Sequence, residues 1–330
     1  MLSANRWSLS STIAEGSNFV ANWADFPSLF VAANGTMAAH WLEYGESRSA
    51  YGIRVRTSRD NGRTWTAAAV PHAATPGEHG FASFFDAPGG GIGMVWLDGR
   101  DVGGHGSTHG AMAIRSTTIQ NASPQGETLL DPRVCDCCQT SATRTSEGVL
   151  VAYRDRSDAE IRDTAVVRFV NGKWSPPQAI GSDNWNITGC PVNGPVAAAI
   201  GRSAAVAWFT GQGDLPRTQV AFSDDAGRTF GAPIRFSSNP TLGRLAMAML
   251  SSGRVLITSL ERVRGRSEIL IREVRSDGRV TAPMTVAVSS PDRSSGFARL
   301  VVSKSTVIVA WTEVRPGAPT AVQTAMAEVR

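Results

Sequence analysis

Hydrophobic residues run along this chain in short bursts, separated by turns rich in glycine, asparagine and acids. One burst recurs: an apolar run that ends in an aromatic residue, a spacer and usually an acid. It reads Thr36-Met-Ala-Ala-His-Trp-Leu-Glu43, then Ile92-Gly-Met-Val-Trp-Leu-Asp98 and Val149-Leu-Val-Ala-Tyr-Arg-Asp155. It returns as Ala205-Val-Ala-Trp-Phe-Thr210, Val255-Leu-Ile-Thr-Ser-Leu-Glu261 and Val307-Ile-Val-Ala-Trp-Thr-Glu313. Positions Trp41, Trp96, Tyr153, Trp208, Ser259 and Trp311 align the six copies at spacings of 51 to 57 residues. Self-similarity at such a period marks a repeat architecture. Each copy has room for four short strands, A to D. In the fourth copy these are Pro195–Ile200, Ala204–Phe209, Arg217–Phe222 and Pro233–Phe236.

Between strands C and D the fourth copy carries Ser223-Asp-Asp-Ala-Gly-Arg-Thr-Phe230, and the first carries Ser58-Arg-Asp-Asn-Gly-Arg-Thr-Trp65. Asp or Asn followed by Gly supplies the positive-φ turn of a hairpin. Weaker versions stand at Asn171-Gly-Lys-Trp174 and Ser276-Asp-Gly-Arg279. The two full motifs resemble the Asp-box of the sialidase-like, BNR-repeat propellers. The resemblance spans nearly the whole chain and implies an all-β, six-bladed β-propeller with four antiparallel strands per blade. One domain, 1–330, is expected, with blades at roughly 25–71, 80–131, 138–182, 193–237, 243–289 and 297–330. The sixth copy stops after strand C. Asn5-Arg-Trp-Ser-Leu-Ser10 resembles Asn171-Gly-Lys-Trp-Ser-Pro176, so residues 5–12 are expected to supply the missing strand and leave no open edge.

Composition agrees with strands: 33 glycines and 17 prolines in 330 residues, with 42% hydrophobic content. No apolar run reaches the roughly 18 residues of a membrane helix. The net charge of +4 is spread over scattered arginines without a basic stripe, which argues against nucleic acid as a partner. The start, MLSANRWSLS, lacks the basic and apolar regions of a signal peptide. The chain is therefore expected either to be cytoplasmic or to be periplasmic or secreted with its leader removed.

Strand alternation puts D-to-A and B-to-C loops at one end of the ring and the Asp-boxes at the other. The first end collects the unusual chemistry. Cys135, Cys137 and Cys138 precede the third blade and Cys190 the fourth. They suit two disulfides, a copper or zinc site with His109 as a further candidate ligand, or free thiols for redox work. A divergence of the adjacent side chains of Cys137 and Cys138 is expected to hinder their binding one tetrahedral ion. Disulfides would imply an oxidising compartment. The acids Glu43, Asp98 and Asp155, with His105, are catalytic candidates of a glycosidase type. The alternative is a ring of ion pairs with Arg100, Arg154, Arg244, Arg262 and Arg299. Arg100, Arg154, Arg244 and Arg299 are also candidate ligand-binding groups, and Trp185 suits stacking on a sugar. The expected ligand is a glycan or small anion; the alternatives are a metal-binding protein and a non-catalytic scaffold.

The family resemblance implies three arginines that clamp a sugar carboxylate, a tyrosine nucleophile backed by a glutamate, and an aspartate acid–base. Arg244 and Arg299 look like two of the arginines. Where the first belongs, this chain reads Asp25-Phe-Pro-Ser-Leu29, and a carboxylate there repels a carboxylate. The chain's three tyrosines, Tyr44, Tyr51 and Tyr153, all lie early, where the family's nucleophile lies late. Ordinary sialidase chemistry is therefore not expected.

Overall fold

The computed structural model describes residues 2–3, 6–45, 50–102, 110–315 and 317–329. Six antiparallel sheets follow one another along the chain. The first contains Ser28–Val31, Met37–Tyr44 and Tyr51–Ser58. The second runs from His79–Asp86 through Ile92–Asp98 and Ala113–Gln120 to Thr128–Asp131. The third is built on Ser141–Thr145, Gly148–Arg154 and Thr164–Val170, and the fourth on Val196–Ile200, Ser203–Thr210 and Arg217–Ser223. The fifth holds Thr241–Ser251, Arg254–Val263, Arg266–Arg275 and Met284–Ser289; the sixth holds Arg299–Ser303, Thr306–Glu313 and Ala321–Glu328. Every recurring apolar run of the sequence is a strand B. The first strand of each sheet lines a single central cavity of about 270 Å³, reached by residues from all six. This is a six-bladed β-propeller.

Strand B is apolar on both faces because each blade is covered by its neighbours. Leu42 and Ile53 of blade one pack with Met94 and Trp96 of blade two, and Val95 and Leu97 with Val149 and Val151 of blade three. Blades three and four share Leu150, Val166 and Trp208; blades four and five share Val220, Leu245 and Ile257; blades five and six share Leu260, Leu300 and Val309. Between blades six and one, Phe297 stacks on Trp23 at 5.9 Å and meets Phe26 at 5.7 Å.

Two details differ from the sequence expectation. Blades contain three to five strands instead of a uniform four. In blade one the outermost strand is reduced to a single bridge, Val55 to Ala69. At the N-terminus, Arg6–Trp7 pairs with Leu2–Ser3 and does not extend the sixth sheet. The local hairpin closes a far shorter loop than pairing with residues over 300 positions away, and so costs less chain entropy. The segment still touches the last blade, where the Trp7 indole donates to Thr324 Oγ1 at 3.4 Å.

The two full Asp-boxes fold alike. Ser58 Oγ donates to Asp60 Oδ1 at 2.8 Å and accepts from the Gly62 amide at 2.9 Å. Asp60 accepts from the Thr64 amide at 2.9 Å and its hydroxyl at 2.6 Å. Ser223, Asp225, Gly227 and Thr229 repeat these contacts at 2.8, 2.8, 2.9 and 2.6 Å. Asn61, Gly62, Ala226 and Gly227 all have positive φ. The aspartate replaces water for turn amides that have no ladder partner. Replacing Asp225 with Ala is expected to cost about 2 kcal/mol in urea unfolding, the scale of losing charged hydrogen bonds. Because the box lies on the face away from the loaded loops, ligand binding should be unchanged; a neutral mutation would show that the box is decorative.

Candidate ligand site at the mouth of the central channel

The strand-B acids are hydrogen-bond acceptors for the buried residues that precede them. Trp41 Nε1 donates to Glu43 at 2.7 Å, Trp96 Nε1 to Asp98 at 2.8 Å, and Ser259 Oγ to Glu261 at 2.7 Å. In blades three and four the acceptor comes from elsewhere: Tyr153 donates to Asp131 at 2.7 Å and Trp208 to Asp183 at 2.7 Å. A buried indole or phenol needs such a partner. The ion pairs are made largely within blades. Glu43 meets Arg54 at 3.1 Å, Asp98 meets Arg100 at 2.6 Å, and Glu261 meets Arg272 at 2.6 Å. Asp98 and Glu261 are fully buried.

Around Asp98 the network is dense. Arg100 binds it through Nε and Nη2 and reaches Glu127 at 2.8 Å. His79 approaches it at 3.6 Å, and the His72 and His79 rings stack at 4.0 Å. Burial lowers the pKa of both histidines, that of His72 to about 4, so both are neutral at pH 7. Asp155 accepts from the Arg156 amide at 2.7 Å, and burial raises its pKa.

Two of the candidate arginines hold backbone. Arg154 is buried and donates to the carbonyls of Asn193, Arg162 and Phe209, with its guanidinium 5.1 Å above the Trp185 ring. Arg244 donates to the carbonyls of Pro291, Asp292 and Gly296 and to Ser295 Oγ, and lies 5.1 Å above Trp23. Trp185 is buried, edge-on to Phe209 at 5.6 Å. His105 and His109 lie outside the described residues.

Arg299 is different. It stands exposed on the cavity wall, at the strand-A level of Ser28, Ser83 and Ser141, with its guanidinium 5.4 Å above the Phe26 ring. Among the described residues no carboxylate pairs with it. The surrounding blades partly desolvate it and lower its pKa, and its charge helps hold buried His40 near pKa 4, second to burial itself. Half-buried Trp23, Phe26 and Phe297 form an aromatic wall beside it.

Asp25 lies at the same rim. It is buried; Oδ1 accepts from the Phe81 amide at 2.8 Å and Oδ2 from the Tyr51 hydroxyl at 3.1 Å. Burial raises its pKa to about 7, against the two hydrogen bonds that favour the carboxylate. A Cβ at Gly80 would overlap this carboxyl group, so glycine is required there. Tyr51 was not a site candidate from sequence, because nothing local links it to a residue 26 positions earlier. Gln139 spans the rim, donating to the Ala24 carbonyl at 2.8 Å and accepting from the Gly194 amide at 3.0 Å.

Next to Gln139 lies the cysteine cluster. Cys135 Sγ is 3.4 Å from Cys138 Sγ and 3.9 Å from Cys137 Sγ. Cys190 comes from the neighbouring loop, its sulfur within 4.8 Å of that of Cys137 and of an Asp136 oxygen, so the two loops meet as the sequence implied. Cys137 and Cys138 do not diverge: their sulfurs converge on Cys135, across a turn at Asp136-Cys137. Hydrogen bonds from Cys137 and Cys138 hold the Cys135 thiol low, helped by Arg162, while Cys137 and Cys138 are pushed up.

A larger groove, about 700 Å³, lies on the Asp-box face between blades one and two. It is lined by turn residues such as Thr36, Trp65 and Asn121, and Arg59 is its sole titratable side chain, so it offers little chemistry.

No protein-family model matches the chain, and no curated protein sequence does. Solved structures do. A Hadza microbial sialidase, Hz136, aligns at 13% identity and TM-score 0.62, over 92% of this chain and 65% of its own. The leech intramolecular trans-sialidase aligns at 12% and 0.59, over 96% and 70%. The alpha-L-arabinofuranosidase Arb93A of Fusarium graminearum aligns at 12% and 0.58, over 92% of both chains. The chain therefore has the six-bladed propeller fold that these glycosidases share.

Proposed function

We propose that the protein binds an acidic sugar, or a small carboxylate of that kind, at the mouth of the central channel. The observation that carries this reading is Arg299: a guanidinium open to a polar cavity, beside an aromatic wall and without a carboxylate partner among the described residues. Such a charge is costly to hold in a partly dry cavity unless an anion visits it. Phe26 and Phe297 line the cavity and offer apolar surface to the sugar ring, and Asp25, largely protonated below pH 7, does not repel an anion as a carboxylate would. The shared fold with sialidases supports a sugar as ligand.

Titration calorimetry with N-acetylneuraminate, glucuronate and neutral arabinobiose tests the reading. The acidic sugars should bind, and Arg299→Ala should weaken them at least tenfold, about 1.4 kcal/mol. Unchanged affinity in Arg299→Ala, or preference for arabinobiose, would sink it.

A hydrolytic role is the second reading, favoured by Asp25 being held near neutrality in the range of a general acid. A fluorogenic sialoside is nevertheless expected to remain intact, since Arg244 is committed to backbone carbonyls.

A further inference from the structure

We propose that Cys135, Cys137 and Cys138 form a three-sulfur site for one monovalent soft cation, Cu(I). Sulfurs held about 2.3 Å from a single d10 ion stand about 3.8 to 4.0 Å apart in tetrahedral or trigonal geometry. The Cys135–Cys137 separation of 3.9 Å falls in that range, the Cys135–Cys138 separation of 3.4 Å is about 0.4 Å short of it, and all three sulfurs lie within 4.8 Å of one another. A bonded pair would stand about 2.05 Å apart.

The loop is anchored for this purpose. The Val134 amide donates to the Met112 carbonyl at 2.8 Å, and the Cys135 amide to the Arg154 carbonyl at 3.0 Å. Thr140 Oγ1 donates to the Phe81 carbonyl at 2.7 Å. Blades two and three thus hold both ends of the segment, which fixes ligands before an ion arrives.

Ligand type and number choose the ion. Thiolates without nitrogen or oxygen donors select soft cations. Zn²⁺ takes four ligands, and among the described residues three sulfurs converge. Asp136 and Cys190 group with Cys137 alone, on the exposed side, where they mark the entry path. Three thiolates around a monovalent ion leave two negative charges. Buried Arg162 offsets part of that charge, donating from Nη1 to Cys135 Sγ at 3.3 Å while it also pairs with Asp136 and Glu160. Such an outer-shell donor orients a ligand sulfur.

The test is anaerobic titration of the reduced full chain with Cu(I) against a colorimetric Cu(I) chelator, followed by X-ray absorption. One Cu(I) per chain with three sulfur neighbours is expected. Cys137→Ser should weaken binding at least 100-fold, and Cys190→Ser should change it less than about threefold. Should Cys137→Ser fail to fold, mass spectrometry of alkylated wild-type protein substitutes: Cu(I) should protect three thiols and leave Cys190 reactive. Failure to retain Cu(I), a four-coordinate Zn²⁺ held in preference, loss of binding in Cys190→Ser, or a Cys135–Cys138 disulfide in protein purified without oxygen would each overturn the proposal.

Discussion

Asp98→Ala is expected to lower the unfolding free energy by about 3–5 kcal/mol, the cost of stripping one partner from a buried ion pair. The side chain is inaccessible to solvent and accepts from Arg100 Nε at 2.6 Å, Arg100 Nη2 at 2.7 Å and Trp96 Nε1 at 2.8 Å. Alanine leaves the indole N–H without an acceptor and leaves Arg100 only Glu127. Burial alone would raise the Asp98 pKa; the Arg100 and Trp96 hydrogen bonds outweigh it, so the net shift is downward. A depressed carboxylate stabilises the fold above its unfolded pKa, and that contribution is lost as pH falls through the folded value. The difference between wild type and Asp98→Ala should therefore shrink in acid. Urea midpoints at constant m-value measure the effect. Glu43→Ala is the control: it too removes an indole's acceptor, that of Trp41, but its ion pair with Arg54 is part-exposed, so the loss should be about 1–2 kcal/mol. Equal losses from the two substitutions would refute the claim that burial sets the cost.

The sequence made the propeller legible because blade packing buries strand B in blade after blade, least completely in the sixth. Both faces of Ile92–Asp98 are covered by neighbouring blades, and the apolar run reports that directly. The Asp-boxes were legible because their chemistry is complete within seven residues. The site was less so. The acids after strand B were visible as a series, but not as acceptors for Trp41, Trp96 and Ser259; Asp131, at the end of a strand, and Asp183, in a loop, do the same. Arg244 and Arg299 open equivalent strands and look alike in sequence. One clamps a loop of carbonyls while the other faces an open cavity, and only the path of residues 291–296 separates them. The meeting of Asp25 with Tyr51 depends on Gly80, a residue with no motif around it.

Asp25→Asn is expected to flatten the dependence of stability on pH. The folded carboxyl titrates near 7 and the unfolded one near 3.8. Between those values the unfolded chain has released a proton that the folded chain retains. Stability contributed by this group is thus complete below about pH 4 and is lost as pH rises through 7. At 1.36 kcal/mol for each pKa unit, the full loss is on the order of 4 kcal/mol, reached above pH 8. Desolvation is the cause, since the carboxyl is almost wholly buried and its two hydrogen bonds only partly offset the cost of charging it. Asparagine keeps an oxygen for the Phe81 amide, stays neutral at every pH and differs little in volume. At pH 4.5 the two proteins should be similar; at pH 8.5 Asp25→Asn should be the more stable by several kcal/mol in urea unfolding. Parallel stability curves for the two would mean that Asp25 ionises freely in the folded protein. The neutral rim on which acidic-sugar binding below pH 7 depends would then not exist.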